Sequence, residues 1–305
     1  MKKILTIVLI SIAGLSYGQQ PTVNSLYMFD QLLINPAYAG AHVQLSATAV
    51  HRNQWVNFPG APKTSSATIQ STFVDNKLGV GLTFINDAIG AHLDNSLYMS
   101  YSYKIKLPEG ELAFGLQAGF QHIKTNWELI TKKSNVDPDL SGIVSSGIKP
   151  NFGTGIFYTD KQFYFGASVP TLLNSQYIDA EGLLSEARRK RAYFISTGNT
   201  YRLSADVKVI PSLLVRIQEG APMSFDLNTH FILKDAVGLG ASYRYTEGIV
   251  AMFELKVNEN FHVGYAYDLT STQLRKFSNG THEIMINYRY RIPGLHTGLA
   301  CPSYF

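Results

Sequence analysis

From Val43 the chain alternates: Val43, Leu45, Ala47 and Ala49 fall on one face, and Gln44, Ser46 and Thr48 on the other. A period of two over that length is a strand with one apolar and one polar face. The pattern returns along nearly the whole chain, with no long amphipathic helix between. Ser65 to Val74 ends at Asp75-Asn-Lys77, and Leu78 to Ile85 restarts with Leu78, Val80, Leu82 and Phe84 opposed to Gly79, Gly81 and Thr83. In Glu111 to Lys124, Leu112, Phe114, Leu116, Ala118 and Phe120 oppose Gly115, Gln117, Gly119 and Gln121. Further segments run from Asn95 to Leu107, Phe152 to Tyr158, Gln162 to Val169, Ala192 to Leu203 and Val207 to Ile217. Met223 to Leu233, Val237 to Tyr245, Ile249 to Val257, Phe261 to Leu269 and Glu283 to Ile292 complete the set. The pattern predicts about fourteen strands.

The links between them alternate as well. Every second one is a short polar turn, such as Lys234-Asp235 or Asn258-Glu-Asn260. The others are often long: Asn53 to Thr64, Asn86 to Asp94, Asn126 to Asn151, Pro170 to Arg191 and Thr270 to His282. Two, near Glu219-Gly220 and Glu247-Gly248, are short. An even strand number, short turns at one end and long loops at the other are the habits of outer-membrane barrels, with the turns periplasmic. The expected fold is therefore all-β, an antiparallel transmembrane β-barrel of about 14 strands over residues 41–292. A soluble sandwich would alternate too, with strands about half as long.

The N-terminus fits that placement. Lys2-Lys3, the apolar run Ile4 to Leu15 and the small residues Ser16 and Gly18 form a signal peptide over residues 1–18, cleaved after Gly18. The apolar run is shorter than the roughly 20 residues of a spanning helix. Residues 19–40 follow as a short periplasmic or plug-like lead-in, stopped by Asn35-Pro36, because the residue before Pro avoids the helical region. Residues 293–305 are read as a periplasmic tail. The expected location is the cell outer membrane.

Composition sharpens the picture at two points. Charged residues make up only 16% of the chain, against 18 Tyr and 17 Phe, which suits strands meeting lipid on one face. The formal charge of +4 includes Lys2 and Lys3 of the leader. No clustered basic face results, so nucleic acid is not an expected partner. Cys301 is the one cysteine and excludes an intrachain disulfide.

Chemistry is sparse. The eight His form no zinc spacing, and no Gly-x-Ser-x-Gly elbow or phosphate-binding loop occurs. Asp137, Asp139, Asp87 and Asp94 lack the ligand ladder of a calcium loop. No cofactor and no enzymatic activity are expected. Glu254, Lys256, Asp268, Glu283, Arg289 and Arg291 face inward and read as a polar lining.

Two motifs carry a resemblance. Leu33-Ile-Asn-Pro-Ala-Tyr-Ala-Gly40, followed by His51-Arg-Asn-Gln-Trp55 with Phe58-Pro-Gly-Ala-Pro62 behind it, resembles the opening of the PorP/SprF family. Its members are outer-membrane proteins of the type IX secretion and gliding-motility system of Bacteroidota. The resemblance rests on Asn35, Pro36, Ala37, Tyr38, Ala39, Gly40, Arg52, Gln54 and Trp55, and extends over the mature chain. It implies a non-enzymatic barrel that helps a particular large, adhesin-like secreted protein reach or stay on the cell surface. The implied partners are that protein or its C-terminal domain, other secretion components and outer-membrane lipid.

Read without the family, Arg52 is either a partner contact or an internal salt-bridge partner, and Trp55 either a hot-spot or an interfacial belt residue. Trp127, Tyr177 and the run Arg188, Arg189, Lys190 and Arg191 lie in the two longest expected loops, as candidate partner anchors. A solvated loop foot is the plain reading of the basic run. The alternative function is a passive transport barrel for small solutes.

Overall fold

The computed structural model describes residues 23–41, 45–74, 76–129, 143–178 and 184–290. The signal peptide and the tail beyond residue 290 lie outside them, as do Asp137 and Asp139.

In chain order the strands are β1 (Leu45–Asn53), β2 (Lys63–Phe73), β3 (Leu78–Ile89), β4 (His92–Lys106), β5 (Glu111–Asn126), β6 (Ile143–Thr159) and β7 (Phe163–Val169). A hairpin of β8 (Ser175–Ile178) and β9 (Leu184–Arg189) follows, then β10 (Ala192–Asn199) and the short β11 (Tyr201–Arg202). The remainder are β12 (Val207–Gln218), β13 (Ser224–Leu233), β14 (Val237–Arg244), β15 (Gly248–Lys256), β16 (Phe261–Thr270) and β17 (Thr281–Tyr290). All of them except β8, β9 and β11 form one antiparallel ring of fourteen strands. The seam pairs β1 with β17, from Leu45↔Tyr290 to Asn53↔His282. Closure leaves no sheet edge in lipid, which is what a spanning sheet requires. The β8–β9 hairpin is a separate two-stranded sheet within the link from β7 to β10.

The alternation sorts residues as the pleat demands. Outward positions are large and apolar: Met99 is 58% exposed and Leu116 66%. Inward neighbours such as Ser100, Ser102, Thr72 and Gln121 are fully buried. Short turns close one end, and Lys234 and Asp235 both adopt positive φ there (52° and 51°), the pairing that matches hairpin twist. The opposite end, the loop end, carries the longer links.

Three expected loops are corrected. Asn86 to Asp94 is not a long link: β3 and β4 continue to Ile89 and His92, and only Gly90 and Ala91 turn the chain. The polar residues Asn86, Asp87 and Asp94 read as loop, yet Asn86 pairs with Asn95 and Asp87 with Asp94, and Asn86 Nδ2 donates to Asn95 Oδ1 at 2.7 Å. Likewise β6 begins at Ile143, so the link after β5 covers residues 127–142 rather than 126–151. Residues 170–191 contain the β8–β9 hairpin.

The physical reason is height. Outward positions on β5 are apolar from Leu112 to Phe120 and then turn polar at His122 and Lys124. About 9–11 residues cross a bilayer. The 15 to 17 residues of β4, β5 and β6 therefore overshoot the lipid at the loop end, where a strand needs no apolar face.

Candidate functional site

The site is the interior, and the chain itself fills it. From Val23 to Ala41 every residue except Leu33 is buried, in three short 3-10 turns (Tyr27–Phe29, Gln31–Leu33, Pro36–Tyr38). This plug enters the wall at the turn end and climbs to the loop end.

The Asn35–Gly40 motif seats the lower half. Asn35 caps the last 3-10 turn: its Oδ1 accepts from the Ala37 N–H at 2.9 Å, and Pro36 opens the turn with φ already set. Its Nδ2 donates to the Ile156 carbonyl on β6 at 3.0 Å. Tyr38 packs edge-on to Phe157 at 5.2 Å. Ser102 donates to the Ala39 carbonyl at 2.7 Å, Gly40 N–H donates to Gln70 at 3.0 Å, and Lys104 donates to the Gly40 carbonyl. The cavity beside Ala37, lined also by Lys104, Glu111 and Phe157, has a volume of about 10 Å3, room for one water.

Inward glycines make the seat possible. A Cβ at Gly79 would be driven into the Ala39 carbonyl, one at Gly115 into the Ala37 backbone, and one at Gly155 into Asn35 Oδ1. Gly81 faces Leu32 in the same way. The alternation shows that Gly79, Gly81 and Gly115 face inward. It does not show that another backbone lies against them.

At the loop end the plug meets a charged cluster. Glu283 accepts from the N–H groups of Ser25 and Leu26 at 2.8 and 2.7 Å. Ser25 Oγ donates to Asp268 at 2.8 Å and accepts from Arg52 at 2.8 Å and Arg244 at 3.3 Å. Arg52 also binds Asp268 at 2.6 Å and Glu283 at 3.0 Å, itself 2% exposed. Arg244 and Arg216 share Asp226 and Glu247 at 3.0 to 3.2 Å. Partial desolvation disfavours the charged form of Glu247 on the rim turn, but Arg244 and Arg216 outweigh it and hold the carboxyl below its usual range. Buried charge persists only where it is paired and hydrogen-bonded, and these groups hold one another.

A second polar group lies between. Gly238 and Gly240 on β14 leave room for His230, whose ring meets Phe29 of the plug edge-on at 5.3 Å. Glu254 is 1% exposed, with His230 and His262 each 3.8 Å away. Among the described residues no set of three or more His, Cys, Asp or Glu is arranged to hold a metal ion. Asp87 accepts from Thr64 at 2.6 Å, and Asp94 from Ser96 and Gln121.

The remaining singled-out residues sit on the rim. Gln54 is buried and its N–H bonds Pro62 at 3.0 Å. Trp55 N–H donates to Thr281 Oγ1 at 3.1 Å, and Val56 N–H to the Gly280 carbonyl at 2.9 Å, tying the first loop to the last across the seam. Trp127 is half-buried against His92, with ring centroids 6.0 Å apart. Tyr177, Arg188 and Arg189 belong to the β8–β9 hairpin, and their side chains lie outside the described residues. Lys190 and Arg191 are exposed, and Arg191 Nε donates to the Leu172 carbonyl at 2.7 Å. The structure thus puts the motif residues Asn35–Gly40 and Arg52 into plug-to-wall contacts, and the basic run at the end of the hairpin and in the two residues after it.

The sequence of residues 16–288, plug and barrel together, matches the family model of the type IX secretion system membrane protein PorP/SprF. The chain belongs to the PorP/SprF family. It is thereby a membrane component of type IX secretion, with an outer-membrane barrel fold. Among solved structures it resembles the CymD monoaromatic hydrocarbon channel, with 10% identity, 92% of this chain and 96% of that one covered, and a TM-score of 0.52. It is similar also to the Pseudomonas putida toluene transporter TodX, with 9% identity, 90% and 96% covered, and a TM-score of 0.50. At such identities the likeness concerns the fold alone. No curated protein matches the chain in sequence.

Proposed function

We propose that this protein is a non-enzymatic outer-membrane component of type IX secretion that aids secretion or surface attachment of one particular large, adhesin-like partner. The loop end faces the cell exterior, where its partner docks, and the turn end faces the periplasm. The observation that supports this reading most is the clamped plug. A lumen occupied from Ser25 to Ala41 by the protein's own chain, tied at both ends, suits a docking body better than a conduit.

The rim supplies the docking parts. The hairpin β8–β9, exposed Lys190 and Arg191, and the overshooting strands β4 to β6 stand on the loop side. Aromatic and Arg groups there bury well, and the charges steer encounter. The test is affinity purification from detergent-solubilised outer membrane. A single large secreted protein, or its C-terminal domain, is expected to come with the barrel in stoichiometric amount. Recovery of the barrel alone, together with loss of small-solute uptake in cells lacking it, would favour the transport reading.

A further inference from the structure

The two links that flank the barrel seam are locked to each other. Val56 N–H donates to the Gly280 carbonyl and Asn279 N–H to the Val56 carbonyl, each at 2.9 Å. Tyr267 Oη donates to the Asn279 carbonyl at 3.1 Å. Within the first link, Phe58 N–H returns to the Trp55 carbonyl at 3.0 Å and Ala61 N–H to the Phe58 carbonyl at 3.1 Å. Gly90 N–H of the next turn donates to the Gly60 carbonyl at 3.0 Å, and Ser271 N–H of the last link to the Glu247 carbonyl at 2.9 Å. Trp55 and Asn57 both hold positive φ, 47° and 74°, which a side chain as bulky as Trp keeps only where its surroundings dictate it. The backbone here is fixed in advance.

This frame presents apolar and basic groups. Phe277 is 66% exposed and Phe58 37%, and Trp55 and Val56 are half-buried in the same link as Phe58. Arg275 and Lys276 end the exposed 3-10 turn Gln273–Lys276, and exposed Lys63 opens β2. Among the described residues none of these three cations is in an ion pair. Neither 54–62 nor 271–280 contains an Asp or Glu. The carboxylate of the neighbouring turn, Glu247, is held by Arg216 and Arg244. Lipid does not account for the two Phe. Ala49 on β1 and Ile284 on β17 are the last apolar outward positions before these links, and polar His51, Asn53 and His282 follow them on the outer face.

We infer that the paired seam links are a seat for the secreted partner, and that the partner presents a carboxylate-rich segment to them. Exposed aromatic rings beside unpaired cations gain by burial and charge pairing, and a backbone already fixed loses little freedom on binding. This seat rests on the docking reading proposed above, and places one contact of the rim at Phe58, Arg275, Lys276 and Phe277.

Full-length protein carrying the photo-crosslinker p-benzoylphenylalanine at Gln273 is irradiated in living cells, and the joined peptides are identified by mass spectrometry. Heat-modifiable gel migration shows that each barrel has assembled. The expected product is an adduct with an Asp- and Glu-rich segment of one large secreted protein. Phe277→Ala, and Arg275→Glu with Lys276→Glu, should each cut its yield about tenfold or more, as loss of a hot-spot group does. Lys161→Glu, in a turn at the opposite end, should leave the yield unchanged. No adduct, an adduct that survives both changes, or one with a glycolipid or a segment poor in acid overturns the inference. If the adduct is absent but shortening β8–β9 still removes one large protein from the surface, docking stands and this seat alone fails. Lys276→Cys in a Cys301→Ser background is treated with a membrane-impermeant maleimide on intact cells. Labelling there is expected, and labelling only after permeabilisation overturns the external placement and the seat together.

Discussion

Arg52 and Glu283 are direct cross-strand partners on the seam between the first and last strands, joined by a 3.0 Å ion pair. The same carboxylate receives two backbone N–H groups of the plug. Barrel closure and plug retention thus share one side chain. Removing one partner of a buried pair costs about 3–5 kcal/mol, because the other is left uncompensated. Arg52→Ala and Glu283→Ala are therefore each expected to lower the temperature at which the folded gel band is lost. Arg52→Met combined with Glu283→Gln keeps an acceptor for Ser25 and removes both charges, so its loss falls well below the sum of the two single losses. Strict additivity would mean the pair does not act as a unit.

The inward glycines should hold the plug in place. Gly79→Leu or Gly115→Leu puts a side chain where the Ala39 or Ala37 backbone lies. Such a change displaces the plug while the ladder, paired through backbone groups, persists. Planar-bilayer recordings are expected to show steady conductance for either variant and none for the parent protein. Ala118→Leu, on the outward face of β5, is expected to stay silent.

Depth in the lipid sets the third expectation. Leu239 and Phe253 face each other across β14 and β15, and are 47% and 41% exposed on the outer surface. Arg at either is expected to cost about 2–4 kcal/mol if placed near mid-bilayer. Tyr243→Arg, four residues nearer the loop end, should cost about 0–1 kcal/mol. Equal costs in reversible-unfolding titrations in lipid vesicles would contradict the assigned depth.

Much of this barrel is legible in the sequence because the period-two pattern is long and its two faces differ sharply. Leu82, Phe84, Leu116 and Leu239 lie outward, and Ser46, Thr48 and Ser242 inward, as alternation predicts. Strand ends are less legible. At the loop end polar residues fall on both faces of β3 and β4, Asn86 and Asn95 on one and Asp87 and Asp94 on the other, so Asn86, Asp87 and Asp94 lose the signal while keeping the ladder. A plug-like lead-in is legible before the barrel, but what it touches is hidden for another reason. Its contacts with Gly79, Gly115, Gly155 and Glu283 are 40 or more residues away in the chain or depend on a missing side chain, and neither leaves a local pattern. Ser242 shows the consequence. As an inward polar position it reads as tolerant of Arg, yet it is 4% exposed in a filled lumen, and that tolerance is gone.

The docking account is tested most directly on the rim. Loop length is set independently of strand pairing, and loops tolerate change far better than the elements they join. Cells in which residues 127–142, or the hairpin β8–β9 with the run Arg188–Arg191, are shortened should still assemble a heat-modifiable barrel. Surface proteomics against the parent strain is the measurement. The account predicts a marked loss of one large secreted protein from the cell surface, with other secreted proteins at normal levels. An unchanged surface accompanied by reduced uptake of a small solute would contradict it.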